Sequence, residues 1–277
     1  MEINRHIAFR NNDATELVIY LQNNNISYDI GKDFSSIDIY ESNPHWKHIS
    51  EIVRNKDLFN FTETIFSKEE LQKAEWLRVR SQWHYDYPQP ENAFKYETIT
   101  YTREIYCQKC GCGLKQIDSF RMKKAPKWGT RHFLMVNWIA DELFVSETAK
   151  TILQNEGFSN ISFLNVKNKK GTELLSNIYQ MAIHSFLENG FVEHQERLHE
   201  VLICPQCGSK KYHPNGIGMY AFKKNIFENA PDIVKTSDWY GWGRSASHLI
   251  LIRQKVYQCI IKNHLDKSLV FEPIELI

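Results

Sequence analysis

Over the first sixty-odd residues, short apolar runs alternate between a strand-like period of two and a helical period of three to four. EINRHIAF sets Ile3, Ile7 and Phe9 on one side of a strand. From about Asp13 the spacing turns helical. Glu16 follows at capping-box distance, and Leu17, Tyr20 and Leu21 face inward. ISYDI and SIDIY read as strands around the turn GKDFS. HWKHISEIVRN reads as a helix with Trp46, Ile49, Ile52 and Val53 inside, and DLFNFTETIF as a further strand. The order βαββαβ predicts a small ferredoxin-like sandwich.

SKEELQKAEWLRVRS predicts one continuous helix, with Ser67 as N-cap, Glu70 closing a capping box, and an apolar stripe of Leu71, Ala74, Trp76 and Leu77. The two prolines of YPQPEN preclude regular structure and predict a domain edge at about Pro88 to Asn92. Residues 1–90 are therefore expected to form an N-terminal α+β domain and residues 91–277 a second α+β domain. KYETITYTREIYC, rich in β-branched and aromatic residues, reads as a strand leading into a pair of cysteines.

The second region repeats itself weakly. A C-x-x-C-G knuckle, a variable connection and a tryptophan (Trp138) precede LFVSETAKTILQNEG and then ISFLNV. A second knuckle and a tryptophan (Trp239) precede LILIRQKVYQCIIKN and then LVFEPI. With Val145 set on Ile252, Phe163 falls on Phe271 and Val166 on Ile274 after one inserted residue. Two pseudo-repeated halves, each closing in strand–helix–strand, are expected.

Composition narrows the functional classes. The 277 residues are 42% hydrophobic and 24% charged, which suffices for a sizeable core. The net charge of +1 gives no global attraction to nucleic acid or membrane. No apolar run is long enough for a membrane-spanning helix. MEINRHIAFRNND lacks the apolar stretch of a secretory signal, so a cytoplasmic location is expected. Thiols stay reduced there, and paired cysteines read first as metal ligands.

Cys107 and Cys110 find their counterparts in Cys204 and Cys207, beyond an insert of 93 residues. Two C-x-x-C knuckles supply four thiolates, the set that favours a closed tetrahedral zinc site. The long insert raises the loop-closure cost by only about 1–2 kcal/mol over a short finger loop. Structural zinc contributes on the order of 10 kcal/mol or more. One structural Zn2+ per chain is the expectation; paired disulfides, a redox pair and an iron–sulfur cluster rank below it. Cys112 is a surplus thiol that could exchange with Cys110 only by losing the C-x-x-C spacing, and Cys259 reads as a buried core thiol.

Other signals are weaker. RMKKAPKWGTR (Arg121–Arg131) is either a phosphate-binding run with Trp128 as a stacking base platform or a solvated loop. TSDWYGWGRSAS is either an aromatic recognition loop or a cap on the core. His84 with Asp86, and His45 with His48, lack the partners that catalysis or metal binding would need. No P-loop, G-x-S-x-G, H-E-x-x-H or dinucleotide fingerprint occurs, and no catalytic residue is expected.

YCQKCG, the PKWG turn, WIADELFVSE, ICPQCG, and DWYGWG leading to FEPI resemble the double-CXXCG-motif family, bacterial two-knuckle proteins of which some are immunity proteins of toxin systems. The likeness covers Tyr106 to Ile277. It implies a non-catalytic cytosolic protein that binds and neutralises a cognate protein toxin, with metal held by Cys107, Cys110, Cys204 and Cys207. Cys112 and about 100 upstream residues depart from that pattern. The alternative function is a nucleic-acid-binding zinc-ribbon protein or regulator.

Overall fold

Ile7 and Phe9 alternate with more exposed neighbours along β1 (Glu2–Arg10), and Ile37 and Ile39 do the same along β3 (Phe34–Tyr40). Their common face is covered by Leu17 and Leu21 of α1 (Thr15–Asn23) and by Ile49, Ile52 and Val53 of α2 (Trp46–Asn55). With β2 (Asp29–Ile30) and β4 (Phe59–Ile65), the strands run β2-β3-β1-β4, every pair antiparallel. This is the expected ferredoxin-like order. The computed structural model describes all residues, Met1 to Ile277.

This first unit comprises Met1–Glu70 together with Asn215–Met219. The distant loop is tied in by Thr64, whose hydroxyl donates to the Gly216 carbonyl at 2.7 Å and accepts from the Gly218 amide at 2.9 Å. The division therefore falls at Glu70, not near residue 90. The cause is a misread element. Only Lys68–Lys73 is helical (α3), with the Ser67–Glu70 capping box in place, and Trp76–Ser81 is a strand, β5. β5 belongs to the second unit, Leu71–Pro214 with Tyr220–Ile277. KYETITYTREIYC is likewise not one strand. It forms α4 (Tyr96–Thr100) and the two-residue β6 (Tyr101–Thr102), which pairs with β7 (Lys115–Gln116).

The second unit is built on two sheets. One contains β8 (Arg121–Met122), β9 (Phe133–Leu134), β10 (Leu143–Val145), β11 (Ile161–Asn168) and β12 (Leu174–Ile183), in the order β8-β11-β12-β10-β9. The other contains β5, β13 (Phe186–Leu187), β16 (Tyr220–Phe222), β17 (Ile233–Thr236), β19 (Ile250–Arg253) and β20 (Leu269–Leu276), in the order β13-β17-β19-β5-β20-β16. A smaller sheet holds β14 (Leu198–Ile203), β15 (Lys210–Pro214) and β18 (Trp239–Tyr240).

The two larger sheets correspond in strand order and pairing register. β10, then α5 (Glu147–Asn155), then β11 correspond to β19, α6 (Gln254–Lys262) and β20. In the first sheet β12 lies between β10 and β11, antiparallel to both; in the second, β5 lies between β19 and β20, antiparallel to both. Val145 faces Tyr179 where Ile252 faces Leu77, and Phe163 faces Met181 where Phe271 faces Val79. The outer pairings agree as well: β8 joins β11 in parallel as β16 joins β20, and β9 flanks β10 as β17 flanks β19. The pseudo-repeat is thus present, but the central strand of its second half is supplied by β5, from before the first knuckle.

Equivalent positions fill equivalent cores. Val145 and Ile252, Ala149 and Val256, Leu153 and Ile260 meet in one shared core. On the outer faces, Phe120, Met122, Leu134 and Phe144 build one cluster, while Tyr220, Phe222, Val234 and Leu251 build its counterpart. No helix is long and apolar enough to cross a membrane.

Candidate metal centre and the adjoining cleft

Each cysteine pair sits on a knuckle closed by the same two backbone hydrogen bonds. The Gly111 amide donates to the Cys107 carbonyl and the Cys107 amide to the Cys112 carbonyl; the Gly208 amide donates to Cys204 and the Cys204 amide to Ser209. Gly111 and Gly208 take φ of +81° and +73°, a region open to glycine and strained for other residues. A side chain at Gly111 would also meet the Arg244 carbonyl at 2.0 Å, whereas the space beside Gly208 is empty.

The knuckles bring their thiols together in two cross-pairs: Cys107 to Cys204 at 3.8 Å and Cys110 to Cys207 at 3.6 Å. All four sulfurs lie within 4.8 Å of one another. Tetrahedral zinc with Zn–S bonds of about 2.3 Å requires sulfurs about 3.8 Å apart, so the set fits a four-coordinate ion. The four predicted ligands are therefore together, at distances suited to a metal, and Cys112 is outside the set.

Cys112 has an explanation in the comparison of the knuckles. It stands where the second knuckle has Ser209, whose hydroxyl lies 3.2 Å from the Cys207 sulfur. Setting CQKCGC over CPQCGS reveals the correspondence in the sequence itself.

The thiols differ in their ease of ionisation. Hydrogen bonds from the Ser209 side chain and backbone pull Cys207 down to about 6, and the amides of Cys207 and Gln206 lower Cys204. Burial raises Cys110 and Cys112. A four-thiolate zinc centre carries a net charge of −2, and a buried cation lies close by. The Lys211 ammonium donates to the carbonyls of Cys110 (2.8 Å), Gly243 (2.7 Å) and Ser245 (2.9 Å). Trp239 and Ala246 pack against the buried cysteines Cys107, Cys110, Cys112 and Cys204, while Cys207 is exposed.

Beside the first knuckle opens a cleft of about 630 Å³, reaching from Tyr106 and Gly111 to Gln180 and Lys235. Glu142 and Lys235 form a buried ion pair in its wall. The Gln180 amide bridges Glu142 at 2.9 Å and Gln116 at 2.6 Å, and Gln116 donates back at 2.8 Å. Burial pushes the Glu142 carboxyl up despite Lys235. For Lys235 burial acts downward, but the carboxylates of Glu142 and Asp141 outweigh it and hold the ammonium. Arg244, the buried Tyr96 and the half-exposed Trp138 also line the cleft. Sequence reasoning missed this constellation, because its polar members lie far apart in the chain and no spacing rule links them.

The remaining motifs are absorbed by structure. In the basic run, Arg121 pairs with Asp118 and Lys123 with Glu91. Arg131 stacks over Trp83 at 4.0 Å. Trp128 is buried, and its indole donates to the Asn177 carbonyl, so it offers no free face for a base. Asp86 accepts from the Lys123 amide. His45 and His48 both pack on Tyr20. Trp242 of the aromatic loop is exposed, while Trp239 lies against His248 at 3.9 Å.

No family model matches the chain, and no curated protein matches it in sequence.

Proposed function

We propose that the four thiolates hold one structural zinc ion, and that the chain is a non-catalytic, cytoplasmic binding protein of the immunity type that neutralises a cognate bacterial toxin. The observation that carries the metal reading is the tetrahedron of sulfurs drawn from two knuckles 97 residues apart. All four positions are protein thiolates, so no coordination position is left for water or substrate, and the ion acts as a staple. Reduced thiolates in this number suit a reducing compartment.

The toxin-binding part of the reading is supported by the resemblance of YCQKCG, ICPQCG and their following motifs to two-knuckle immunity proteins. The cleft beside the first knuckle suits it too: the half-exposed Trp138 ring and the polar groups in the cleft wall offer a protein partner contact area and hydrogen bonds.

Co-expression with toxin domains encoded beside this chain's gene tests the reading. A stable equimolar complex and loss of toxicity are expected. Failure with every neighbouring toxin domain, by a chain whose metal content is intact, would overturn the immunity role and leave the zinc assignment standing.

A further inference from the structure

The β-hairpin that carries the second knuckle gathers another set of metal-ligating side chains at its opposite end. β14 leads into Cys204 and β15 leads away from Cys207. Along their antiparallel ladder Glu200 stands opposite His213, so both side chains share one face. Leu198 pairs with Pro214, one step from His213, which leaves His199 as the extra residue of a β-bulge. A bulge sets two successive residues against one partner and re-aims their side chains. One donor atom from each of His199, Glu200 and His213 consequently lies within 4.8 Å of the other two.

The surroundings agree with a ligand role. The two imidazoles meet edge to face, with centroids 5.3 Å apart at 87°. The His213 ring lies against the Trp242 indole, with centroids 4.9 Å apart. His213 is not a histidine consumed by internal hydrogen bonding: its Nδ1 is buried and has no partner, although buried polar atoms are nearly always paired.

We propose that His199, Glu200 and His213 form a second metal site, distinct from the thiolate centre, for a divalent first-row transition ion such as Zn2+. Two imidazoles and one carboxylate suit zinc, cobalt or nickel. Magnesium and calcium prefer shells of oxygen alone. Three protein donors leave a coordination position open, in contrast to the closed four-thiolate set. His199 and Glu200 are exposed, so solvent water completes the shell.

Calorimetric titration of the full chain with Zn2+, after the thiolate centre has been filled, is the test. One further ion per chain is expected. His199→Ala should weaken it by at least about tenfold, a lower bound set by what loss of a mere supporting residue does to metal affinity. His199→Ala with Glu200→Gln should abolish it. Both residues are exposed, so these variants keep the fold, and the thiolate-to-cobalt charge-transfer band of the cobalt-loaded protein verifies that the first centre is unchanged. Mg2+ should give no event. Absence of a second zinc event, or an event of equal affinity in the double variant, would overturn the proposal.

Discussion

The two halves of the second unit share a frame and differ in what they bury within it. Gln180 in the first half occupies the position of Arg78 in the second, and Leu164 that of Glu272, by the register of their sheets. In the second half Glu272 is buried beneath three cations: Arg78 at 3.0 Å, Arg197 at 2.8 Å and Arg80 at 3.7 Å. Arg78 and Arg197 also lie over the Tyr220 ring. In the first half a neutral amide takes the equivalent place, hydrogen-bonded toward a cleft. Burial raises the Glu272 carboxyl, and the arginines more than reverse it, so it stays ionised and low; Glu142, with one cation, is held high. A repeated backbone thus fixes where polar groups can be inserted. The number of opposite charges around each one decides whether the insertion seals the core or lines an opening.

The largest effect is expected where the halves depend on each other. Cys107→Ser and Cys204→Ser should each empty the thiolate centre and destabilise the second unit by several kcal/mol, against the order of 10 kcal/mol that structural zinc contributes. Metal analysis and thermal melts check this, and unequal losses would break the equivalence of the knuckles. Metal affinity should also fall as pH is lowered, because every thiol must lose its proton to bind, and the fall should be steepest below about pH 6, where even the depressed thiol of Cys207 takes up its proton.

Next come the buried ion pairs. Glu272→Ala leaves arginines uncompensated and should cost about 3–5 kcal/mol by denaturant unfolding. Lys235→Met installs the residue found at the equivalent position, Met135, and should cost a similar amount at neutral pH. The two variants should then part company with pH. Glu142 already has a folded pKa above its unfolded value; in Lys235→Met the native state binds the extra proton as pH falls, so much of the lost stability returns in acid. Glu272→Ala has no such carboxyl to protonate. Parallel pH profiles would show that the polar inserts are not specialised.

Smaller effects separate the knuckles. Gly208→Ala should cost about 1–2 kcal/mol for its left-handed backbone. Gly111→Ala adds an overpacking penalty of about 1–3 kcal/mol, because the Arg244 carbonyl must move. Equal melting temperatures for the two variants would contradict the packing difference. Smallest of all, Cys112→Ser converts the first knuckle to the pattern of the second. It should retain the metal and cost about 1 kcal/mol, because Cys112 is buried and the new hydroxyl needs a partner there, which the Cys110 sulfur can supply as the Cys207 sulfur does for Ser209.

Much of this was legible along the chain. The cysteine spacing named the four thiols that come together because a knuckle is a local structure: two cysteines, a glycine and two hydrogen bonds lie within six residues. The strand–helix–strand ends of each half were legible for the same reason, with Ser146 capping α5 by accepting from the Ala149 amide and the aligned apolar positions falling on one face. The βαββαβ order of the first unit followed from period alone.

WLRVRS reads as the end of a helix because its charges look like a wet helical face, yet it is a strand. In the fold Arg78 and Arg80 belong to a central strand, and Glu272 from β20 compensates them. No local rule could supply that partner, which lies 194 residues away. The domain edge moved with it, since the prolines mark an irregular stretch but not the place where contacts divide.

By itself, then, the sequence determined what short-range geometry controls: the elements with clean periods, the knuckles, their glycines and the identity of the thiolate set. The tertiary structure decided what depends on residues remote in the chain. It chose β5 to complete the second half, enclosed Glu142 with Lys235, and brought His199 and Glu200 against His213 through a bulge. Ion pairs, ladders and clefts derive their energy from partners at a distance in sequence, and only the folded chain sets those distances.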